Sequence, residues 1–227
     1  YSSKKTNQIY KILKSRNIKL FIHQPSYSLI NRWIEKDLTK TIRKLKIGCI
    51  AFSPLAQGML SDKYLKKIPK VSRASDITSY LDKSLITKKN LKIVSDLNKI
   101  AIKRGQSLSQ MAISWVLSNN YVTSALIGVR SLNQLKENGI SYYSIGAFAK
   151  SLTKTNTEEL TQETIKKYCD NNDLPMCIIG GLDMSNIESA MKYRPDMVAI
   201  CNGIFNQDKD RIKETIKKFQ EIIDAKS

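Results

Sequence analysis

Short apolar runs alternate with amphipathic stretches along most of the chain. Runs of strand length predict β-strands at residues 20–23, 47–52, 123–128, 142–145, 176–179 and 197–201. Apolar positions at helical spacing predict helices at residues 4–16, 32–45, 90–104, 111–117, 132–137, 160–168, 186–193 and 211–223. This alternation is typical of a parallel sheet whose strands are connected by crossover helices.

The number of elements limits the architecture. Six strands are clear, and residues 1–3 are a candidate for the stub of a seventh. We therefore expect an α/β fold that is TIM-barrel-like, with six or seven parallel strands, outer helices, and a hybrid or incomplete barrel. A complete eight-stranded barrel typically needs about 250 residues.

Two local signals refine this prediction. Gly105 is placed to end the helix before it, and Ser107 with Gln110 forms a capping-box pattern for the next helix. Residues 66–88 are polar and lack periodicity, as is typical of long loops that are either functional or disordered.

Charge divides the chain near residues 138–139. Residues 1–138 carry a net charge of +19, whereas residues 139–227 carry −1. We therefore expect two domains, at residues 1–138 and 139–227. The basic half contains scattered lysines without an Arg-rich tract or an aromatic ladder, which disfavours nucleic acid as a partner and favours solvated charged faces.

Cysteine usage and hydropathy restrict the compartment. No apolar run approaches the ~20 residues of a membrane span, and no signal-peptide pattern follows Tyr1, although a preceding segment is left open. The cysteines lack CxxC spacing, and three of them lie in apolar runs: Cys49, Cys177 and Cys201. We expect buried thiols, a cytoplasmic protein without membrane contact, and no metal site.

Three polar segments follow predicted strands at the ends where barrels of this type carry their sites. They are His23-Gln24-Pro25-Ser26-Tyr27, Phe52-Ser53-Pro54-Leu55-Ala56-Gln57-Gly58 and Ile127-Gly128-Val129-Arg130-Ser131. Taken singly, Phe52 reads as a core residue, Gly58 as a turn residue and Arg130 as a solvated cation. Taken together, with the runs CIAFSPLAQGML and SALIGVRSLNQLKEN, they make residues 1–138 resemble the C-terminal half of an aldo-keto reductase, in the branch of bacterial glyceraldehyde-type reductases and potassium-channel β subunits.

The resemblance implies an NADP(H) site. Gln24 would bind the nicotinamide carboxamide and Phe52 would stack on the nicotinamide ring, which suits an aromatic face. The remaining residues would follow the phosphates and the adenine: Ser53, Leu55, Gln57 and Gly58 along the pyrophosphate, Gly128 and Arg130 near the adenosine phosphate, and Gln134, Glu137 and Asn138 around the adenine. Backbone N–H groups and a cation are suitable phosphate ligands.

The resemblance does not supply catalytic residues. The family reduces carbonyls with a Tyr, a Lys, an Asp and a His from the first half of its barrel, and no motif here matches that half. His23 is the single histidine and is interpreted as a hydrogen-bonded strand residue. Without a proton donor, catalytic residues stay unknown and enzymatic activity stays open.

Glycine-containing strand ends also occur after residue 139. Gly pairs let backbone N–H groups approach an anion closely. With the run IIGGLDMSNIESAM, residues 140–227 resemble the C-terminal part of a thiamine-phosphate synthase, although a GG pair after a strand recurs in many phosphate-binding barrels. The resemblance implies phosphate contacts from Thr153, Lys154, Gly180, Gly181 and, where the family usually has Ser, Asn202.

Several functions remain open from the sequence. The first is an NADP(H)-binding, aldo-keto-reductase-like protein of the carbonyl oxidoreductase class, fused to a phosphate-binding segment. The alternatives are a noncatalytic nucleotide- or phosphate-binding hybrid barrel, or a thiamine-phosphate synthase remnant in thiamine biosynthesis. The expected ligand is a nicotinamide nucleotide or a phosphorylated small molecule. Open barrel edges predict a covering element: a second copy of the chain, another partner, a lid from residues 66–88, or an N-terminal segment.

Overall fold

The computed structural model describes residues 1–61, 86–129, 132–150, 159–170 and 173–225. The predicted excursion at residues 66–88 lies outside the described residues as far as residue 85. The chain divides into two compact units, Tyr1–Arg130 and Ser131–Ser227. The domain boundary predicted at residues 138–139 lies within the second unit, at the end of its first helix, and the separate ancestry of the two halves stays a prediction.

The first unit is a three-stranded parallel sheet with helices. Its strands are β1 (Ile22–His23), β2 (Gly48–Phe52) and β3 (Ser124–Leu126), in the order β1-β2-β3. Its helices are α1 (Ser3–Ser15), α2 (Leu38–Leu45), α3 (Lys88–Lys103) and α4 (Leu108–Leu117), with short 3-10 turns at Trp33–Glu35 and Ala56–Gly58. Among the residues that the structure describes, no further strand pairs with the outer edge of β1 or of β3.

Local capping explains several helix boundaries. The predicted capping box at α4 is confirmed, because the Gln110 backbone N–H donates to Ser107 Oγ at 3.2 Å and the Ser107 N–H donates to Gln110 Oε1 at 2.9 Å. Gly105 follows the end of α3 with φ at +64°, as a C-terminal glycine does. The Asn90 N–H donates to Thr87 Oγ1 at 3.0 Å where α3 begins.

The predicted helix at residues 32–45 is wrong in its first part. Residues Trp33–Glu35 form a 3-10 turn, and α2 begins only at Leu38. The Glu35 carboxylate accepts hydrogen bonds from the side chains of Tyr27 and Arg32, and Asp37 leaves the helical path with φ at −149°. Tertiary contacts of one side chain therefore override the helical periodicity of this stretch.

Two apolar clusters build the core of the first unit. One lies among α2, β2 and α4 and contains Tyr27, Ile34, Leu38, Ile42, Ile47, Cys49, Ala51 and Val116. The other joins the segment after β2 to α3 and α4 through Ala56, Met59, Leu60, Val94, Ala101, Leu108, Met111 and Ala112. Each large apolar side chain buried in this way contributes about 1.5–3 kcal/mol. Together the clusters fix the ends of β1 and β2 relative to the helices.

The second unit contains another three-stranded parallel sheet. Its strands are β4 (Tyr143–Ile145), β5 (Met176–Ile179) and β6 (Met197–Ala199), in the order β4-β5-β6. Its helices are α5 (Leu132–Glu137), α6 (Gln162–Asp170), α7 (Ile187–Met191), α8 (Asn202–Phe205) and α9 (Ile212–Asp224), with a 3-10 turn at Lys209–Arg211. Ile187, Met191 and Phe219 pack α7 against α9. The α/β class with parallel strands is therefore present in both units.

The cysteine prediction is partly wrong. Cys49 and Cys177 are buried, as expected, and all four thiols are unpaired. Cys201 is exposed, because β6 ends at Ala199 and Cys201 is the residue before α8, a short helix that the apolar run did not predict. Among the described helices, none is long and apolar enough to cross a bilayer.

Candidate functional site

Gln24 and Phe52 lie at the carboxyl ends of neighbouring strands in the first unit. The parallel register pairs Ile22 with Gly48, and a further bridge pairs Ser26 with Phe52. Because side chains alternate across a strand, Gln24 and Phe52 project from the same face of this sheet. Phe52 is 39% exposed, so within its unit it is not the core residue that an apolar strand position would otherwise suggest.

Backbone hydrogen bonds hold this edge in place. The Phe52 N–H donates to the Pro25 carbonyl at 2.9 Å, and the Tyr27 N–H donates to the Phe52 carbonyl at 3.1 Å. The segment after β1 therefore extends the parallel ladder beyond the end of the strand. An aromatic ring and an amide side chain held on one face suit a flat heteroaromatic ring that carries a carboxamide.

The loop after Phe52 has an unusual backbone. Ser53, Ala56 and Gln57 have φ values of +54°, +47° and +58°, in the left-handed region that costs a non-glycine residue about 1–2 kcal/mol. Gly58 follows with φ at +103°. The Ala56 and Gly58 N–H groups donate to the Ser53 and Leu55 carbonyls, each at 2.9 Å, so these residues close a tight turn just beyond β2. Strain of this kind is concentrated at functional sites.

Packing maintains that loop. Met59 and Leu60 are fully buried and belong to the cluster that includes Val94 and Leu108. The Leu60 N–H also donates to the Leu55 carbonyl at 3.1 Å, which closes the turn. The loop is therefore held on its carboxyl side by core contacts with α3 and α4.

Gly128 follows β3 and has no structural requirement for glycine among the described residues. A Cβ added there would meet no atom within 4 Å, and its φ is outside the left-handed region. An exposed glycine of this kind leaves space for a ligand to approach the backbone. Arg130, which the resemblance places beside it, lies outside the described residues.

The predicted adenine contacts belong to the second unit. Gln134, Glu137 and Asn138 lie on or just after α5, where the Asn138 side-chain amide donates to the Gln134 carbonyl at 2.7 Å. The structure thus places Gln24, Phe52, Ser53, Leu55, Gln57, Gly58 and Gly128 at or just beyond the strand ends of one unit. The roles of all these residues stay predictions.

His23 is buried on the opposite face of the sheet and is 7% exposed. The interpretation as a hydrogen-bonded residue stays a prediction: neither ring nitrogen meets hydrogen-bond geometry within the described residues, whereas the Tyr1 backbone acts on the ring as a weak hydrogen-bond partner that raises its pKa. Burial lowers the pKa of His23, which keeps the ring neutral near neutral pH. His23 therefore does not belong to the exposed edge formed by Gln24 and Phe52.

A polar network that was not predicted from the sequence lies beneath this edge. Tyr27 is fully buried, and its hydroxyl donates to Glu35 Oε1 at 2.6 Å and lies 2.7 Å from the Tyr121 hydroxyl. The Arg32–Glu35 pair at i,i+3 spacing was the available signal, because such a pair stabilises a local turn. Nothing in the local pattern linked that pair to Tyr121.

A cavity lies in the second unit, at the carboxyl ends of β4, β5 and β6. Its volume is about 850 Å³, within the range of small-molecule pockets. Its polar and reactive lining side chains include Ser144, Lys150, Asp183, Ser185, Cys201 and Asn202. Lys150 supplies a cation, whereas Asp183 places a carboxyl group in the same cavity. Thr153 and Lys154 lie outside the described residues.

The glycines around this cavity have a structural explanation. A Cβ on Gly180 would lie 2.8 Å from the Ala147 Cα, and one on Gly181 would lie 2.3 Å from the Ala149 carbonyl oxygen. The Asn186 side-chain amide further fixes the loop by donating to the Gly181 carbonyl at 2.9 Å. The Gly180–Gly181 pair is therefore required for the close approach of two strand-end loops, whether or not an anion binds.

Metal binding has no structural support in the ranges that the structure describes. They contain no group of three or more His, Cys, Asp or Glu side chains arranged to hold a metal ion. Asp170 and Asp173 are both exposed near the end of α6.

Comparison with known proteins extends the resemblance. A model of the aldo/keto reductase family matches residues 1–165. This range passes the predicted seam at residues 138–139. The matches support the aldo/keto reductase assignment and give no support to a thiamine-phosphate synthase segment.

Two relatives illustrate the match. The L-glyceraldehyde 3-phosphate reductase of Escherichia coli strain K12 is 45% identical over 142 residues, which are 61% of this chain and 41% of that protein. The putative voltage-gated potassium channel subunit beta of Schizosaccharomyces pombe is 36% identical over 119 residues, which are 51% of this chain and 35% of that protein. The chain therefore spans less than half the length of these relatives.

Proposed function

Because the chain belongs to the aldo/keto reductase family, we propose that its first unit binds the nicotinamide dinucleotide NADP(H) along the carboxyl ends of β1, β2 and β3. The exposed ring of Phe52 beside Gln24 carries this proposal. The left-handed loop after Phe52 would hold the pyrophosphate with its backbone, and Gly128 would let the adenosine phosphate approach β3.

The test compares two exposed phenylalanines at opposite ends of the same sheet. Phe52 is the last residue of β2, at its carboxyl end, whereas Phe21 precedes β1 and is 65% exposed. Removing a stacked ring costs about 0.5–1.5 kcal/mol beyond area burial. Phe52→Ala should therefore weaken NADPH binding about two- to tenfold, while Phe21→Ala leaves it unchanged.

Binding is measured by the fluorescence of NADPH and by quenching of Trp33 and Trp115, which both lie in the first unit. Absence of binding at millimolar NADPH would refute the proposal. Equal losses for Phe52→Ala and Phe21→Ala would remove Phe52 from the site and leave only general destabilisation.

Preference for the phosphorylated cofactor is assigned to Arg130. A guanidinium that contacts the adenosine phosphate contributes about 1.5–3 kcal/mol as a charge-assisted hydrogen bond. Arg130→Ala should then weaken NADPH about tenfold or more and should weaken NADH less. Equal losses for the two cofactors would remove this role.

For the reaction itself we propose the carbonyl oxidoreductase class, without assigning a proton donor. The first substrate to test is L-glyceraldehyde 3-phosphate, because the Escherichia coli relative is named for its reduction. The assay follows the loss of NADPH absorbance with and without the aldehyde. Binding without turnover would restrict the proposal to a nucleotide-binding role.

A second candidate function rests on the cavity of the second unit. There we propose binding of a phosphorylated small molecule, because Gly180, Gly181 and a lysine line the cavity at the strand ends. Lys150 is the described cation in the cavity lining, and Asn202 adds an amide. Titration with inorganic phosphate and with thiamine phosphate, followed by amide NMR signals of Gly180 and Gly181, tests it.

The control for that titration is another exposed lysine of the same unit. Lys192 lies just after α7 and does not line the cavity. Lys150→Met should abolish the signal shifts, whereas Lys192→Met should preserve them. If both variants show the same signal shifts as the unaltered chain, Lys150 has no role in binding. If no protein shows signal shifts, Gly180 and Gly181 serve packing and do not bind phosphate.

The open sheet of the first unit also supports a covering element. The exposed side chains at β1 and β3 include Ile22, which is 52% exposed, and Leu126, which is 50% exposed. We propose that a second copy or another protein covers these edges. Light scattering combined with hydrogen exchange tests this, because a monomer with protected β1 amides would contradict it.

A further inference from the structure

The segment after β1 connects the exposed edge at Phe52 to the interior of the first unit. Its outer side is tied to Phe52 by the backbone hydrogen bonds of Pro25 and Tyr27, at 2.9 and 3.1 Å. Its inner side carries the Tyr27 side chain, which is fully buried. Movement of this one segment would therefore displace both Gln24 and the Phe52 backbone.

Two polar groups contact the Tyr27 hydroxyl, and a third holds one of them in place. It donates its proton to Glu35 Oε1 at 2.6 Å, so the neighbouring Tyr121 hydroxyl at 2.7 Å supplies the proton of their mutual hydrogen bond. Glu35 is in turn held by Arg32, whose Nε and Nη2 donate to the two carboxylate oxygens at 2.9 and 2.8 Å. The carboxylate cannot rotate without breaking this bidentate pair.

Aromatic side chains also pack against the Tyr27 ring. The ring centroids of Tyr27 and Trp115 are 5.2 Å apart, and the Arg32 guanidinium lies 5.3 Å from the Trp115 centroid. Burial raises the pKa of the Tyr27 phenol far above its ordinary value, and the hydrogen bond that it donates to Glu35 raises it further. The Arg32 hydrogen bond lowers the pKa of Glu35. Tyr27 therefore remains a donor and Glu35 an acceptor near neutral pH.

A second pair of hydrogen bonds fixes the residue before Tyr27. Trp33 Nε1 donates to the Ser26 carbonyl at 2.8 Å, and Asn31 Nδ2 donates to Ser26 Oγ at 3.1 Å. Both donors come from the segment that also carries Glu35. The 3-10 turn at Trp33–Glu35 therefore bonds to the segment after β1 at two points, the Ser26 carbonyl and the buried Tyr27 hydroxyl.

We infer that Tyr27 is a positioning residue, whose hydroxyl, locked to Glu35, sets the orientation of Gln24 and Phe52 toward a nicotinamide ring. This inference rests on the proposed NADP(H) function. Tyr27 itself lies beneath the edge and does not contact the cofactor. Its effect should fall on the nicotinamide end of the ligand, because the Tyr27 backbone bonds directly to Phe52, whereas Tyr121 leads to the amino end of β3, opposite the end at Gly128.

The experiment compares two ligands that share an adenosine end. NADPH contains the nicotinamide ring, whereas adenosine 2′,5′-bisphosphate lacks it. Tyr27→Phe keeps the buried ring and removes only the hydroxyl. We expect this variant to bind NADPH about five- to tenfold more weakly, as the loss of one well-placed hydrogen bond predicts. Its affinity for the bisphosphate should stay within about twofold.

Three further variants separate positioning from general destabilisation. Tyr10→Phe is the matched control, because Tyr10 packs against the same core cluster and has no part in the network. Glu35→Ala removes the acceptor and should reproduce the split between ligands. Glu35→Gln retains an oxygen acceptor and should restore most of the NADPH affinity. Glu35→Ala also provides the answer if Tyr27→Phe fails to fold.

The outcomes distinguish this inference from the proposed function. If the unaltered chain binds neither ligand, the NADP(H) proposal fails and the positioning role fails with it. If the unaltered chain binds both and Tyr27→Phe binds NADPH equally well, only the positioning role is overturned. Parallel losses of both ligands in Tyr27→Phe or Glu35→Ala would also overturn it, because they indicate a structural effect on the whole unit.

Discussion

Replacing Gly181 with alanine tests whether the glycine pair after β5 is required for packing. Gly181 has φ at +68°, a conformation that costs an alanine about 1–2 kcal/mol. The added Cβ would also lie 2.3 Å from the Ala149 carbonyl oxygen and 2.8 Å from the Lys150 carbonyl oxygen. Ordinary contacts begin near 3.4 Å, so the backbone of residues 149–150 must move.

The magnitude follows from adding the two effects. Overpacking a well-packed region typically costs about 1–3 kcal/mol. With the conformational cost, Gly181→Ala should lower the free energy of unfolding of the second unit by about 2–5 kcal/mol. That is a large share of the ~5–15 kcal/mol by which a domain is ordinarily stable.

Two spectroscopic probes assign the effect to one unit. Both tryptophans, Trp33 and Trp115, belong to the first unit, so their fluorescence follows its unfolding, whereas circular dichroism follows both units. In a urea titration, Gly181→Ala should lower the midpoint seen by circular dichroism more than the midpoint seen by fluorescence.

Gly128→Ala is the control for a glycine without neighbours. Its Cβ would meet nothing within 4 Å, so its effect on stability should stay within about 0.5 kcal/mol. A Gly181→Ala protein as stable as the unaltered chain would refute the packing explanation. Phosphate binding would then be the remaining explanation for the Gly180–Gly181 pair.

Three further predictions concern single residues of the first unit. Lys46 ends α2 with φ at +53°, so Lys46→Gly should raise stability by about 0.5–1 kcal/mol in urea unfolding, whereas Lys44→Gly within α2 should lower it by about 1 kcal/mol; changes of the same sign would contradict the left-handed cap. His23 has a pKa lowered from 6.5 by burial, so its contribution to stability is complete above pH 6.5 and is lost as the pH falls toward the lowered value, with a slope of up to about 1.4 kcal/mol per pH unit. Replacing His23 with Leu should flatten that slope in unfolding midpoints measured between about pH 8 and about pH 5, and an unchanged slope would show that folding does not lower the pKa of His23. Ser107→Ala removes the cap of α4 and should lower the free energy of unfolding by about 1 kcal/mol in thermal unfolding. Ser107→Asn keeps a capping side chain and should retain most of the stability. Unchanged stability in Ser107→Ala would contradict the capping role.

Element type was accessible from the sequence because it depends on local periodicity and caps. The alternation of apolar runs predicted each of the described strands, and Ser107 with Gln110 predicted where α4 begins. The 3-10 turn at Trp33–Glu35 was not accessible, because the hydrogen bond from Tyr27 to Glu35 competes with helical periodicity. The short helix α8 was also not predicted, because the apolar run before it indicated a strand that continues to residue 201.

The candidate site was only partly predictable. The rule that parallel strands end at one edge placed Gln24 and Phe52 together, and the structure adds that Phe52 is exposed. The left-handed backbone of Ala56 and Gln57 could not be predicted, because neither residue type prefers it. Burial of Met59 in the adjoining core holds the loop that contains it.

The sequence by itself determined the order of strands and helices, the charge division and the residue types gathered at the strand ends. These features follow from side-chain chemistry that each short stretch carries alone. The tertiary structure decided which of those residues are exposed and which are needed for packing. It separated Gly128, which has open space, from Gly181, which is pressed against Ala149. It also joined Tyr27 to Tyr121, 94 residues apart, because only folding brings such distant positions within hydrogen-bond distance.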